Sequence, residues 1–233
     1  VAVAAALFTC AAGALAARRI SRPAPIAPAP IALPAGAELR VPHAAGAISL
    51  DGDMDDPGWL RARPARTNAF QLTDGTRARP YSDARFVWGD GCLYVLLYAA
   101  DQDIRATQTQ PDAPLWLEDS FHLVFSDADG DRTIDVSPSG VVTDAQQLRG
   151  KAIDYGWSSG VHVSRELDGT PNDPRDDDEE WVLELAIPLD ALGLSGERGE
   201  RIGFSVSRCD TPKHARQVCA AWNGGEPGEL VLD

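Results

Sequence analysis

The chain has 233 residues, enough for one domain with a sizeable core, and its 35 acidic against 21 basic side chains give a formal net charge of −14. So acidic a surface repels phosphate backbones and anionic headgroups, which excludes nucleic acid and the bare membrane surface as expected partners. The same acidity keeps an exported protein soluble.

Residues 1–17, VAVAAALFTCAAGALAA, are apolar throughout and run directly into Arg18 and Arg19. That length is the lower limit for crossing a bilayer, and the pattern reads as an export signal or signal-anchor over residues 1–21. Cys10, in Leu7-Phe8-Thr9-Cys10, resembles a bacterial lipoprotein box, while Ala14-Leu15-Ala16 offers a cleavage site instead. Both routes lead out of the cytoplasm. The expected location is the periplasm, the medium or the cell surface, with membrane contact only through this segment or a lipid on it. Residues 22–38 begin RPAPIAPAPIALP, whose fixed φ angles and missing donors make an extended spacer. The folded domain is expected over 39–233.

From there short runs of period two alternate with turn clusters. Ala84–Trp88 and Leu93–Ala99 flank Gly89-Asp90-Gly91 as a hairpin, and the second run is apolar on both faces, as a central strand should be. Ser120–Phe125 and Thr133–Ser137 flank a turn at Asp127–Gly130. Further strands are expected over 160–167, 181–187, 202–208 and 217–222. Only Leu189–Leu192, closed by Gly193, reads as a helical turn. The expected fold class is all-β, an antiparallel β-sandwich of jelly-roll or immunoglobulin-like type with at most one or two short helical turns. Beyond the leader stand Cys92, Cys209 and Cys219. An odd count in an oxidising compartment suggests one bridge, Cys209–Cys219 across the last hairpin, and one leftover thiol. A metal reading of Cys209, His214 and Cys219 lacks a fourth ligand, so the disulfide is preferred.

Six segments in order resemble carbohydrate-binding module family 9 and its DOMON-like relatives over residues 47–232. They are Ile48–Trp59, Asp83–Trp88 with Leu93–Val95, Pro114–Phe125, Val136–Gly140, Glu184–Pro188 and Ile202–Phe204. The resemblance implies a non-catalytic sandwich that binds a poly- or oligosaccharide, with two tryptophans clamping a terminal sugar. Structural calcium is also known in that family. By position, Trp116 falls on the first clamp tryptophan, His122 where the family has a glutamate, and Thr133 and Asp135 where it has a glutamine and an arginine. The loop expected to carry the second clamp, residues 223–229, contains no aromatic; Asn223 is its polar candidate.

Strand parity supports part of this without the family. If Phe121, Leu123, Ile134 and Val136 face the core, His122, Thr133 and Asp135 share the opposite face, with His122 and Asp135 cross-strand or diagonal neighbours. One indole face covers about 100 Å², worth ~2.5 kcal/mol at about 25 cal/mol per Å². Association costs at least ~4 kcal/mol, so a single platform needs hydrogen bonds to hold a sugar. Trp157 is a candidate second aromatic surface, whereas Trp59, Trp88 and Trp181 sit in core-like patterns. Weak calcium candidates are Asp127, Asp129 and Asp131, with the runs at 51–56 and 176–180 as others. No catalytic fingerprint is present, and the adjacent Glu118 and Asp119 point to opposite faces. Two other readings compete: a structural or adhesion domain without a ligand, and a haem-carrying electron-transfer domain, for which Met54 is the sole methionine ligand candidate.

Overall fold

The computed structural model describes residues 37–53 and 55–233; the expectations for the leader, for residues 22–36 of the spacer, for Cys10 and for Met54 fall outside these. The period-two runs form twelve strands in chain order: β1 (Glu38–Val41), β2 (Ala65–Arg66), β3 (Ser82–Gly89), β4 (Cys92–Ala100), β5 (Ser120–Ser126), β6 (Gly130–Val136), β7 (Val142–Leu148), β8 (His162–Asp168), β9 (Glu180–Pro188), β10 (Arg201–Asp210), β11 (Val218–Ala221) and β12 (Gly228–Leu232). One sheet runs β1-β12-β10-β5-β6-β7, with β11 also pairing β10; the other runs β2-β3-β4-β9-β8. The β1–β12 pair is parallel and every other pair antiparallel. The expected antiparallel sandwich is what forms.

Between the sheets lies a core built from alternate residues, with Phe121, Leu123 and Phe125 from β5 meeting Phe86, Val95, Trp181 and Leu183 from the other sheet. The apolar character of β4 on both faces is explained by a second cluster behind it. There Ile48, Trp59, Val87, Tyr94, Leu96 and Val182 pack under the segment that precedes β2. That segment carries a helix, α1 (Pro57–Ala62), which the sequence pattern does not announce because it is barely two turns long. Pro57 starts it by pre-setting φ. The turn expected at Leu189–Leu192 forms as a 3-10 turn ended by Gly193 in the left-handed region; two further 3-10 turns occupy Leu115–Leu117 and Trp222–Gly225.

Glu184 pins the preceding segment to the sheet. It is fully buried on the outer face of β9 and accepts hydrogen bonds from Asp51 N (3.1 Å), Gly52 N (2.8 Å) and Trp59 Nε1 (2.8 Å). Burial pushes its carboxyl up to about 7, against the lowering effect of those donors. The β5–β6 hairpin turns at Gly130, where an added Cβ would lie 2.1 Å from the Gln147 carbonyl, so glycine fixes the approach to β7. Cys209 and Cys219 are opposite one another in the β10–β11 register and form the expected disulfide. The expectation of one leftover thiol is corrected: Cys92 is buried and is disulfide-bonded as well. Among the described residues no helix is long and apolar enough to cross a membrane.

Candidate functional site

The outer face of the first sheet carries the predicted polar side chains. Strand registers align Ala221, Ser207, His122, Asp135 and Thr143 across β11, β10, β5, β6 and β7 in one row. The next row holds Ser205, Val124, Thr133 and Ala145. His122 and Asp135 are directly opposite, and His122 Nδ1 lies 2.5 Å from Asp135 Oδ1. Burial alone would depress the imidazole, but the hydrogen bond and charge of Asp135 outweigh it and hold its pKa above the usual value. This orientation leaves His122 Nε2 for another partner. Thr133 Oγ1 makes a 3.4 Å bond to the Ala145 carbonyl.

Trp116 stands at the margin of that face. It sits in the 3-10 turn that enters β5 and packs against β6, and it is 41% exposed. Two contacts hold the chain leading into it on the β7 edge: Asp112 N donates to the Val142 carbonyl, and Thr143 Oγ1 donates to the Ala113 carbonyl at 2.6 Å. On the far side, Gln217 Nε2 donates to the Glu118 carbonyl. The chain on either side of Trp116 is therefore tied to the β7 edge and to the segment before β11, while Trp116 itself remains partly open to solvent. Leu117, beside it, is exposed too.

Tyr155 was not evident from the sequence. It lies in the crossover from β7 to β8, where Asp154 bridges Gln146 on the β7 edge. Its hydroxyl is buried without a hydrogen-bond partner, and burial followed by the Asp135 charge raises its pKa. The Asp135 charge thus reaches the Tyr155 hydroxyl, without a hydrogen bond between them. Pattern reading selects Trp157, half-buried two residues later in the same crossover, because an aromatic between glycine and serine looks displayed. No periodicity links a crossover to a strand face, so the phenol gives no signal in the sequence. Asn223 stands beyond the β11 edge and donates to the Glu226 carbonyl within its own turn. Trp222, expected to end a strand, instead opens the 3-10 turn after β11 and is buried against Phe204.

The acidic loops behave differently from one another. Asp127 turns its Oδ1 to the amides of Asp129 and Gly130, while its Oδ2 binds Arg132. That carboxylate is committed to its own hairpin, and Asp127, Asp129 and Asp131 do not converge on a common point. Within the run at 176–180, Asp178 accepts the amides of Ile104 and Thr170, and Asp177 pairs with Lys213. Glu118 and Asp119 diverge as expected: the first accepts the amides of Thr107 and Gln108, the second those of Arg105 and Thr211. Among the described residues the carboxylates that converge are Asp101, Asp119 and Asp210, all buried at one end of the sandwich.

Comparison with known proteins bears on this arrangement. A protein of Bacteroides uniformis to which carbohydrate binding is provisionally ascribed superposes with a TM-score of 0.65 at 15% identity, over 84% of this chain and 99% of its own. A family 9 carbohydrate-binding module of Caldicellulosiruptor kristjanssonii superposes in its cellotriose complex with a TM-score of 0.57 at 16% identity, over 84% of this chain and 94% of its own. The module from the same organism in complex with glucose gives 0.54 at 18% identity, over 83% and 95%. These likenesses establish the shared sandwich. No curated protein matches the sequence. The family model described as carbohydrate family 9 binding domain-like matches residues 50–228, and the chain belongs to that family.

Proposed function

We propose that this chain is an exported, non-catalytic module that binds oligosaccharide, with Trp116 as stacking platform and His122, Asp135, Thr133 and Tyr155 supplying hydrogen bonds. Family membership supports sugar binding as the general activity, and the cellotriose and glucose complexes of its structural neighbours suggest the ligand class. The observation that carries the residue assignment is the half-exposed indole of Trp116, fastened at the margin of the face that holds the bonded His122–Asp135 pair.

A sugar C–H face laid on the indole recovers ~2.5 kcal/mol, less than the ~4 kcal/mol or more that association costs. Each neutral hydrogen bond adds about 0.5–1.5 kcal/mol net. Binding is thus weak for one site and depends on both kinds of contact. In this reading Asp135 orients the imidazole through Nδ1 so that Nε2 meets a hydroxyl, and the unpartnered Tyr155 hydroxyl gains the partner it lacks. Trp157 and Asn223 are proposed only as peripheral contacts.

Calorimetric titration of the full chain with glucose, cello-oligosaccharides and xylo-oligosaccharides tests this. Trp116→Ala should lower affinity by about tenfold or more, enough to remove a weak signal, because it deletes the stacking surface. Tyr155→Phe should weaken binding several-fold while leaving unfolding unchanged. Equal binding by Trp116→Ala would take that residue out of the site. Flat titrations across all sugars would favour the structural-surface reading, and a Soret band in the purified protein would favour the haem one.

A further inference from the structure

We propose that Tyr81 and Tyr98, on the outer face of the second sheet, form a further binding site for a neutral pyranose of a polysaccharide chain, with Arg66 and Glu180 bonding its hydroxyls. The choice of a sugar rests on the function proposed for the chain; the residues lie on a different face and share nothing with the Trp116 site. On β4, Leu93, Val95, Leu97 and Ala99 enter the core, so Tyr98 stands on the opposite side. There it packs against the cluster around Trp59. On β3, Ala84 and Phe86 face inward, which places Asp83 and Arg85 on the same outer face as Tyr98. Asp83 is directly opposite Tyr98, and Arg66 directly opposite Arg85. Tyr81 immediately precedes β3, and its carbonyl accepts from Ala100 N at 2.9 Å.

Among the described residues, Tyr81 and Trp116 are the only exposed members of the Phe, Tyr and Trp set. The Tyr81 and Tyr98 rings have centroids 5.9 Å apart and are tilted by 57°, so neither lies flat over the other. Each is pinned through its hydroxyl: Tyr81 donates to Asp83 Oδ2 at 2.9 Å, and Tyr98 donates to Glu180. Asp83 is itself fully buried and pairs with Arg66 and Arg85. Burial, the bond to Glu180 and the nearby charges push the Tyr98 phenol up to about 12, so it keeps its proton and that bond. Rings fixed beforehand lose little freedom when a ligand settles on them.

Hydrogen-bonding capacity stands on both sides of the pair. Arg66, exposed at the Tyr81 side, commits Nη2 to Asp83 and keeps its other guanidinium donors. Glu180, half-buried at the Tyr98 side, accepts from Tyr98 through one oxygen and keeps further acceptor positions. A pyranose needs this combination: its C–H face lies on an aromatic ring while hydroxyls accept from the fork and donate to the carboxylate. Charge selects among sugars. Arg66 and Arg85 are matched by Asp83 and Glu180, and Glu166 adds a negative charge in the row of Tyr98 across Val182. Without a positive excess the patch does not favour a uronate or a sulfated sugar. Because the two sites occupy opposite outer faces, one module holds two chain segments and bridges them.

The test follows amide chemical shifts of the full chain during titration with cellohexaose and xylohexaose. Trp116→Ala should retain weak binding of at least one of them, with shifts centred on Tyr98 and Ala100. Adding Tyr81→Ala should weaken that remainder by about tenfold or more. Tyr81→Phe keeps the ring and loses only the Asp83 bond, so it should keep most of the binding. Light scattering with soluble xylan or a soluble cellulose ether should show bridged chains for the wild type and none for either alanine variant. Absence of binding in a folded Trp116→Ala protein, or remaining binding that Tyr81→Ala leaves unchanged, would overturn this second site and leave the Trp116 assignment standing. Binding that Trp116→Ala leaves intact and Tyr81→Ala removes would instead sink the Trp116 assignment and support this one. A wild type silent towards both sugars would sink both.

Discussion

Arg208→Met should destabilise the domain by about 3–5 kcal/mol, the usual loss when one partner of a buried ion pair is deleted and the other left in place. Arg208 is 3% exposed and emerges from the core-facing side of β10. Its Nη1 donates to Ser82 Oγ at 2.9 Å and to the Ala100 carbonyl at 2.8 Å, both on the opposite sheet. Nη2 bonds Asp101 at 2.7 Å and Asp210 at 2.6 Å, and the guanidinium lies 5.5 Å from the centre of the Trp181 ring. Methionine fills much of the same volume, so the deficit reports the lost donors and charge more than a cavity. Lysine should not rescue, since one ammonium cannot reach four acceptors in a planar fork. Urea unfolding with an unchanged m-value is the measurement. The loss should be smaller at about pH 5 than at about pH 8, because abandoned carboxylates can take up protons at the lower pH. A loss below about 1 kcal/mol at pH 8 would show that the four bonds are not made in solution.

Why that centre is silent in the sequence is itself physical. Asp101, Asp119, Arg208 and Asp210 are scattered across more than a hundred positions. Each lies in or next to a strand, and nothing in a period-two pattern distinguishes a charge that ends a strand from one that is buried there. The runs of acid that do stand out, at 51–56, 127–131 and 176–180, draw the eye for calcium, yet their carboxylates largely cap nearby amides or pair with Arg132 and Lys213. Local density of charge marks solvated turns; convergence in space depends on topology, which composition does not encode.

Other parts were legible because they depend on a repeat of two. The shared face of His122, Thr133 and Asp135 follows from parity alone, and the two-residue ambiguity in the turn leaves the face unchanged. The structure resolves that ambiguity in favour of the direct cross-strand pair. The doubly apolar β4 announced a central strand, and it is flanked by β3 and β9. What could not be read was the partner on its outer side. Burial of Glu184 under Trp59 and the turn at Asp51–Gly52 depends on a contact between segments more than a hundred residues apart.

Stability without divalent cations should fall as pH rises from about 4.5 to about 8, the reverse of an ordinary acid-sensitive domain. Three buried carboxyls set the sign. Glu184 is pushed up to about 7, Asp210 to about 6 and Asp119 to about 8, each chiefly by burial. All three lie above their ordinary values of about 4, so between those limits the native state holds protons that the unfolded chain has released. Where the native state binds more protons, stability decreases with pH. Their contribution is complete below about pH 4 and is lost as pH passes through the raised values. His122 is raised as well and acts in the same direction. The exposed Asp74, Asp173, Asp177 and Glu200 are held below their usual values by local hydrogen bonds and ion pairs, so they remove stability only at more acid pH. The optimum should therefore lie near pH 5. A proton held tenfold more tightly in the native state is worth about 1.4 kcal/mol, so the total loss by pH 8 is on the order of several kcal/mol. Urea midpoints in chelator at about pH 5, 6.5 and 8 will measure it. Glu184→Gln should flatten the decline up to about pH 7 and Asp119→Asn the decline up to about pH 8, since a neutral amide of the same shape no longer releases a proton. A midpoint that climbs steadily from pH 5 to 8 in chelator would mean these carboxyls are charged and well paired in the native protein, contrary to the burial that defines them.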